Sequence, residues 1–246
     1  MQVAILAGGL ATRLGDLARN RPKSLIEVAG KPFLAYQLEF LRKAGVTEVV
    51  LCIGHLGEQV RRRFGDGAEF GVNITYSVEK ELLGTAGALK NAESLLSDPF
   101  FTLYGDSYVV LDFDEVLTYF QSQRKLALMT VYRNYDRHDR SNTAVDGYLV
   151  TKYSKREKSE DVVYIDYGVC LLRKETLKMV PESAGYPLED FFPRLIETRE
   201  LLAYEVKERF YQIGSLKGLR EFEEYVGGEN DTFKGADKDN SRWWRN

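Results

Sequence analysis

What most constrains the fold of this chain is a rhythm. Through its first half, short apolar runs alternate with helix-patterned segments. "QVAILA" (2–7) is short and apolar and stops at Gly8-Gly9, which predicts a buried strand. "PFLAYQLEFLRKAG" predicts a helix. Pro32 suits its first turn, Leu34, Leu38 and Leu41 recur on one face, and Gly45 closes it. "TEVVLCIG" reads as the next strand, "LGEQVRRRFG" as a helix and "VNITYSVE" (72–79) as a strand. "TAGALKNAESLLS" reads as a helix with Thr85 as candidate N-cap. "PFFTLYGDS" reads as a strand ending in Gly105-Asp106. This βαβα order predicts an α/β fold, a mostly parallel sheet with helices on both faces.

The second half is richer in strands. "KLALMTVYR", "NTAVD", "YLVTKYSK" and "VVYIDYGVCLLR" read as added strands, partly antiparallel, that extend the same sheet. "PLEDFFPRLIETR" reads as a short helix, "LLAYEVKERFYQI" as a strand pair and "LKGLREFEEYV" as a final helix. No linker or internal repeat separates the halves, so residues 1–226 read as one domain. Residues 227–246 form a tail rich in Gly, Asp, Asn and Lys that reads as disordered. Trp243 and Trp244 sit at its very end. They suit docking on the domain or on a second subunit of a homo-oligomer, and a flexible tail is the other reading.

Composition narrows the function classes. The formal net charge of −3 and pI near 5.6 argue against a nucleic-acid partner. No apolar run is long enough to span a bilayer, so no membrane partner is expected, and the N-terminus shows no basic segment before an apolar one. Cys52 and Cys170 both lie in strand-like runs and read as buried free thiols, which fits a cytoplasmic protein. His55 and His138 lie in no ligand-spaced cluster.

In an open α/β sheet, ligands bind beyond the carboxyl ends of the strands. Three polar signals fall at such ends: "GGLATRLGDLARNRPKS", "ELLGTAGALK" and "YGDS". The first matches neither Walker A nor the dinucleotide fingerprint. It still offers bare backbone N–H groups at Gly8 and Gly9, a guanidinium at Arg13 and an ammonium at Lys23, a set that suits a triphosphate. A mobile loop with solvated charges is the competing reading. Asp106 reads as an N-cap, a structural acceptor or a Mg²⁺ ligand, since Mg²⁺ needs few carboxylates when phosphates complete its shell.

Together these stretches resemble the sugar-nucleotide pyrophosphorylases, the sugar-1-phosphate nucleotidyltransferase family. The family opens with L-A-G-G-x-G-T-R-[LM], then P-K, then "GKP". Here these are "LAGGLATRL", Pro22-Lys23 and residues 30–32, and "ELLGTAG" (81–87) and Gly105-Asp106 match its later motifs. The resemblance implies a Rossmann-like three-layer nucleotidyltransferase fold. It implies NMP transfer from an NTP to a sugar 1-phosphate, giving an NDP-sugar and pyrophosphate, with Mg²⁺ as cofactor. It carries roles residue by residue. Leu6, Ala7, Gly8, Gly9, Thr12, Gly84 and Thr85 would line the nucleotide site. Arg13 would hold the β,γ-phosphates and Lys23 would reach the α-phosphate. Asp106 would bind the metal, and Lys155, Asp166, Gly168 and Glu189 would meet the sugar phosphate. "ELLGTAGALK" looks most like the mannose- and heptose-1-phosphate guanylyltransferases, which favours GTP. A cytidylyltransferase for a non-sugar phosphate such as phosphocholine is the runner-up, and a non-catalytic sugar-nucleotide sensor is the reading from another class.

Several positions depart from the family pattern. Ala11 replaces its third glycine, and Lys152 competes with Lys155 for the sugar phosphate. The family's N-A-G turn appears as Asp166-Tyr167-Gly168, and Glu189 reads equally well as a helix-dipole acid. Most consequential is "FYQIGS", where Gln212 stands in the place of a second metal carboxylate. Either Asp106 serves with phosphates and water alone, or Asp166 or another acid substitutes, or catalysis is weak.

Overall fold

A computed structural model describes residues 1–9, 14–15, 19–157, 159–182 and 185–233. Ala11, Thr12, Arg13 and the Trp243-Trp244 pair lie outside the described residues. The first half contains β1 (Gln2–Leu6), β2 (Glu27–Val28), β3 (Lys31–Pro32), α1 (Phe33–Lys43), β4 (Glu48–Ile53), α2 (Gly57–Phe64), β5 (Asn73–Val78), α3 (Gly84–Asn91), β6 (Phe100–Tyr104), β7 (Ser107–Tyr108) and α4 (Phe113–Gln123). The second half adds β8 (Ala127–Arg133), β9 (Thr143–Asp146), β10 (Leu149–Tyr153), β11 (Tyr164–Leu172), α5 (Leu188–Glu197), β12 (Leu201–Val206), β13 (Tyr211–Gln212) and α6 (Leu216–Phe233).

The main sheet runs β5-β4-β1-β6-β11-β8-β12-β10-β9. Its first four strands are mutually parallel, as the βαβα order requires. β11 then enters antiparallel to both β6 and β8, and β12 lies parallel to β8. The result is a mixed sheet with a parallel block at one end.

Strand alternation divides the core. Val3, Ile5, Leu51 and Leu103 point to one face with Leu34, Leu38 and Phe113, while Ala4, Val50, Cys52 and Phe100 point to the other with Leu89, Phe191 and Phe192. Helices cover both faces, so every residue of β11 is buried. Each large side chain fully buried in this way contributes roughly 1.5–3 kcal/mol. A third cluster joins α6, through Phe222 and Val226, to Phe33, Ile26 and Ile213, and so ties the last helix to the opening loop region.

Four local expectations need correction. α4 was not foreseen, although Asp112 caps it by accepting from the Glu115 N–H at 3.0 Å. Thr85 does not precede α3 but sits inside its first turn, and Leu83 holds the cap position. "LLAYEVKERFYQI" does not fold as a strand pair. β12 joins the main sheet, whereas β13 crosses over to pair with β7. Finally, α6 continues through Gly227 and Gly228 to Phe233, past the expected end of the ordered chain at 226. Its inward Phe222 and Tyr225 pack on Tyr108 and Tyr211, which anchors the helix across that boundary.

Candidate active site

The carboxyl ends of β1, β5 and β6 converge on a cleft of about 370 Å³. Of the residues expected to bind substrate, Leu6, Ala7, Gly8, Gly9, Lys23, Gly84, Thr85, Asp106, Lys155 and Asp166 line it. The three loops singled out in sequence therefore make one site.

Close backbone approach builds the floor. The Gly105 N–H donates to the Leu6 carbonyl at 3.0 Å, and a Cβ on Gly105 would lie 2.5 Å from that oxygen. Gly8 meets the Glu79 side chain, whose Oε1 would be 1.9 Å from a Cβ there. Among the described residues nothing lies within 4 Å of where a Gly9 Cβ would be, and Gly9 lines the cleft. Gly84 takes φ +72°, a conformation glycine favours, and lies against the Tyr186 backbone. The Thr85 hydroxyl accepts from the Leu188 N–H at 2.7 Å, which fixes α3 against the start of α5.

The charged end holds Lys23 and Asp106. Lys23 Nζ donates to Asp106 Oδ2 at 2.9 Å, and both side chains are partly exposed to the cleft. The backbone around Asp106 is held from two sides. From α1, buried Gln37 donates through Nε2 to the carbonyls of Tyr104 and Ser107, at 2.9 and 2.7 Å. From β13, the Ile213 N–H donates to the Asp106 carbonyl at 2.9 Å. "FYQIGS" is thus brought beside "YGDS", through the pairing of Gln212 with Ser107.

Gln212 lines the cleft, but its amide is committed to its own turn. Oε1 accepts from the Gly214 N–H, and Nε2 donates to Ser215 Oγ at 3.0 Å. Among the described residues no group of three or more His, Cys, Asp or Glu side chains could hold a metal ion. A cation ligated wholly by protein does not fit this donor set. Mg²⁺ held by Asp106 and completed by substrate phosphates and water does fit, because Mg²⁺ keeps several waters and takes few carboxylates.

Asp166 does not supply a second free carboxylate. Its Oδ2 accepts from the Tyr104 hydroxyl and its Oδ1 from the Gly168 N–H, each at 2.9 Å. Burial raises its carboxyl above the usual range, against the lowering effect of those bonds and of Lys155. The expected turn at Asp166-Tyr167-Gly168 is a bulge inside β11, where the register slips between Asp166 and Cys170. Gly168 allows it at φ +102°, and Tyr167 turns into the core with its hydroxyl on Val110. The bulge aims Asp166 into the cleft while the strand continues.

Gly168 therefore supports the site rather than lining it. Glu189 also lies outside the lining, in the first turn of α5 with Arg156 at 3.8 Å, so its dipole role is the one the geometry supports. Lys152 spends its ammonium on Ser159 at 2.9 Å and Glu157 at 3.9 Å, and of these two lysines Lys155 is the one that lines the cleft. Sequence reasoning missed Glu79, Tyr104, Ser107 and Asn142, all in the lining. The Asn142 Oδ1 accepts from the Asp166 N–H at 2.9 Å and so holds the bulge. Both thiols are buried, and burial pushes both up, Cys52 to about 12, which disfavours a thiolate at neutral pH. Among the described residues no helix is long and apolar enough to cross a membrane.

Comparison with known proteins agrees with this geometry. Residues 2–145 match the model of the nucleotidyl transferase family. A D-glycero-α-D-manno-heptose 1-phosphate guanylyltransferase from Campylobacter jejuni is 31% identical over 215 residues, covering 87% of this chain and 95% of that protein. A mannose-1-phosphate guanyltransferase from Kluyveromyces lactis is 31% identical over 227 residues, covering 88% of this chain but 62% of that longer protein. The structure of HddC from Yersinia pseudotuberculosis complexed with GMP-PN superposes with a TM-score of 0.77 at 25% identity, covering 92% of this chain and 99% of that one. From the glycine loop, the Lys23–Asp106 pair and these matches, the chain belongs to the nucleotidyl transferase family.

Proposed function

We propose that the cleft transfers a nucleotidyl group from GTP to mannose or heptose 1-phosphate. The observation that carries this reading is the Lys23–Asp106 pair, set at the carboxyl ends of parallel strands beside the bare backbone of Gly8 and Gly9. The relatives named above act on those sugar phosphates as guanylyltransferases, which supports the choice of base and acceptor.

An oxygen of the sugar phosphate attacks the α-phosphorus, the bond from that phosphorus to the β-bridging oxygen breaks, and pyrophosphate leaves with the electron pair. No protein nucleophile is required, consistent with two buried thiols. The barrier is positioning and charge. Two unit anions 4 Å apart repel by about 4 kcal/mol at an effective dielectric near 20. Lys23 offsets that repulsion at the α-phosphate, and Arg13, from the opening motif, takes the leaving pyrophosphate. Gly8 and Gly9 let the backbone donate to the phosphates, while Gly84 and Thr85 form the wall nearer the base. Lys155 and Asp166 face the acceptor, one attracting its phosphate and the other accepting from a hydroxyl. Mg²⁺ held at Asp106 would supply a compact positive charge shared between the two substrates.

The test is product analysis with a panel of NTPs against mannose, heptose and glucose 1-phosphates and phosphocholine, with and without Mg²⁺. GDP-mannose or GDP-heptose is the expected product. A CDP-linked product from phosphocholine would replace this reading, and nucleotide binding without turnover across the panel would refute catalysis.

A further inference from the structure

A second cavity, of about 470 Å³, adjoins the cleft, and Asp139, Phe210 and Gln212 line both. Its other walls are the loop between β8 and β9 and the start of α6. Arg137, His138, Arg140, Arg209 and Lys217 line it against three acids, and those acids already have partners. Asp136 Oδ1 accepts from the Ser141 N–H and Asp139 Oδ1 from the Arg140 N–H, each at 2.7 Å, so both shape the loop. Glu221 pairs with Arg209 and lies 3.7 Å from Lys217. Arg137 lies over the Tyr135 ring, and Arg140 donates to the Arg156 carbonyl at 2.7 Å. Neither of these two arginines pairs with a carboxylate among the described residues. The Nε of Arg209 is buried with no acceptor among them, a state that folded chains normally avoid. The loop itself is tightly built. Tyr135 and Asp136 take left-handed φ values of 49° and 57°, which a residue as bulky as tyrosine rarely does. Buried Asn134 holds the turn, donating to the Asp139 carbonyl at 2.6 Å and to Ser141 Oγ at 3.1 Å, and accepting from the His138 N–H at 3.2 Å. Burial first, and then Arg209, Arg137 and Lys217 against the opposing pull of Glu221, hold the His138 ring below its ordinary range.

We propose that this pocket binds a phosphomonoester, a phosphate that takes no part in the transfer. It is carried at the far end of the sugar acceptor or by a separate sugar phosphate. The inference rests on the cleft being the catalytic site and is independent of the base. A phosphomonoester brings close to two negative charges at neutral pH and three acceptor oxygens. Guanidinium forks and an ammonium match that shape and charge, and an uncharged sugar would leave them unused. The first turn of α6 adds the positive end of a long helix, with Ser215, Lys217 and Gly218 in the wall. The shared wall explains how either source connects to the reaction. A group on the acceptor crosses from the cleft past Asp139 and Phe210. A separate molecule acts along the chain, because Arg209 leads directly into β13 and the Ile213 N–H that follows holds the Asp106 carbonyl at 2.9 Å.

The experiment measures binding of mannose 6-phosphate by calorimetry to wild type, to the double variant Arg137→Gln, Arg140→Gln, and to Lys155→Gln. Both arginines are exposed, so the double variant should keep the fold. It is expected to bind about ten- to a hundred-fold more weakly than wild type, the worth of hydrogen bonds to a charged group, and Lys155→Gln should bind as wild type does. Unchanged binding in the double variant, or loss in Lys155→Gln alone, overturns the inference. Proton NMR of the two histidines gives a second readout. A bound dianion should raise the pKa of His138 and leave His55 where it is, and a His138 that does not move also overturns the inference. The source is decided by kcat/KM for mannose 1,6-bisphosphate against mannose 1-phosphate. A preference of about tenfold for the bisphosphate that vanishes in the double variant assigns the site to the acceptor. Equal use of both, with mannose 6-phosphate altering turnover of mannose 1-phosphate without competing with it, assigns it to a separate molecule. Neither effect in an active protein counts against the site. Calorimetry and NMR need no turnover, so a protein that makes no GDP-sugar would refute guanylyl transfer and leave this inference standing.

Discussion

The two sides of the cleft are built by different means. On the side proposed for the nucleotide, parallel strands end in loops whose chemistry is mostly backbone: Gly8, Gly9, Gly84 and the Gly105-Asp106 corner. On the side proposed for the acceptor, the sheet has turned antiparallel, and Asp166 reaches the cleft through a bulge in the middle of β11. Phosphates are alike in every nucleotide, so a backbone cradle suits them, and local motifs can encode one. The acceptor side depends on side chains held by distant partners. Tyr104 and Asn142 come from other strands or loops, yet they set how Asp166 is presented.

Four substitutions would break or sharpen that contrast. Lys23→Ala should have the largest effect, lowering kcat by about a hundred- to a thousand-fold through loss of charge at the reacting phosphate. Its melting temperature should barely move, because a partly exposed ion pair contributes about 0–1 kcal/mol. Wild-type turnover in this variant would mean that the nucleotide side is not where the chemistry lies. Gly8→Ala should raise the KM for nucleotide by about tenfold, since its Cβ would displace the Glu79 carboxylate. Unchanged steady-state kinetics would show that the contact of Gly8 with Glu79 does not shape the nucleotide site.

Gln212→Ala should act on stability instead. It removes the bonds to Gly214 and Ser215 and should cost about 1–3 kcal/mol in denaturant unfolding. The Mg²⁺ concentration giving half-maximal activity should stay the same, because this amide is tied into its turn. A marked rise in that concentration would place Gln212 on the metal.

The smallest effect belongs to Asp166→Asn, and it depends on pH. Burial raises the native carboxyl, so the folded protein holds this proton more tightly than the unfolded chain does. Stability is therefore lost as pH rises from the unfolded value near 3.8 through the raised native value. Asparagine does not titrate. The melting temperature of the variant relative to wild type should climb as pH goes from about 4 to 7. A difference independent of pH would show that Asp166 is not desolvated as described.

Legibility followed the same division. The parallel block, α1, and the Lys23 and Asp106 loops could be read because each is announced locally, by an apolar run, a proline, or glycines at a strand end. Thr85 was misread because its hydroxyl serves α5, some hundred residues on, rather than the helix that contains it. The Asp166 bulge looks like a turn in sequence, since only the register against β8 distinguishes the two. In sequence Glu79 stands near Glu81 in "SVEKE" with no local signal to single it out. Its meaning comes from Gly8 and Gly54, which stand apart from it in the chain and meet it in space. Gln212 was rightly aligned with the Asp106 region, but the commitment of its amide to Gly214 and Ser215 appears only in three dimensions.

The most direct test of the account is the phosphate balance of the reaction. Purified protein is supplied with GTP, Mg²⁺ and mannose or heptose 1-phosphate, and pyrophosphate, orthophosphate and nucleotide products are measured together. Attack at the α-phosphorus predicts one pyrophosphate for each GDP-sugar formed, with no orthophosphate. GDP with orthophosphate, or no product from either acceptor, would contradict it.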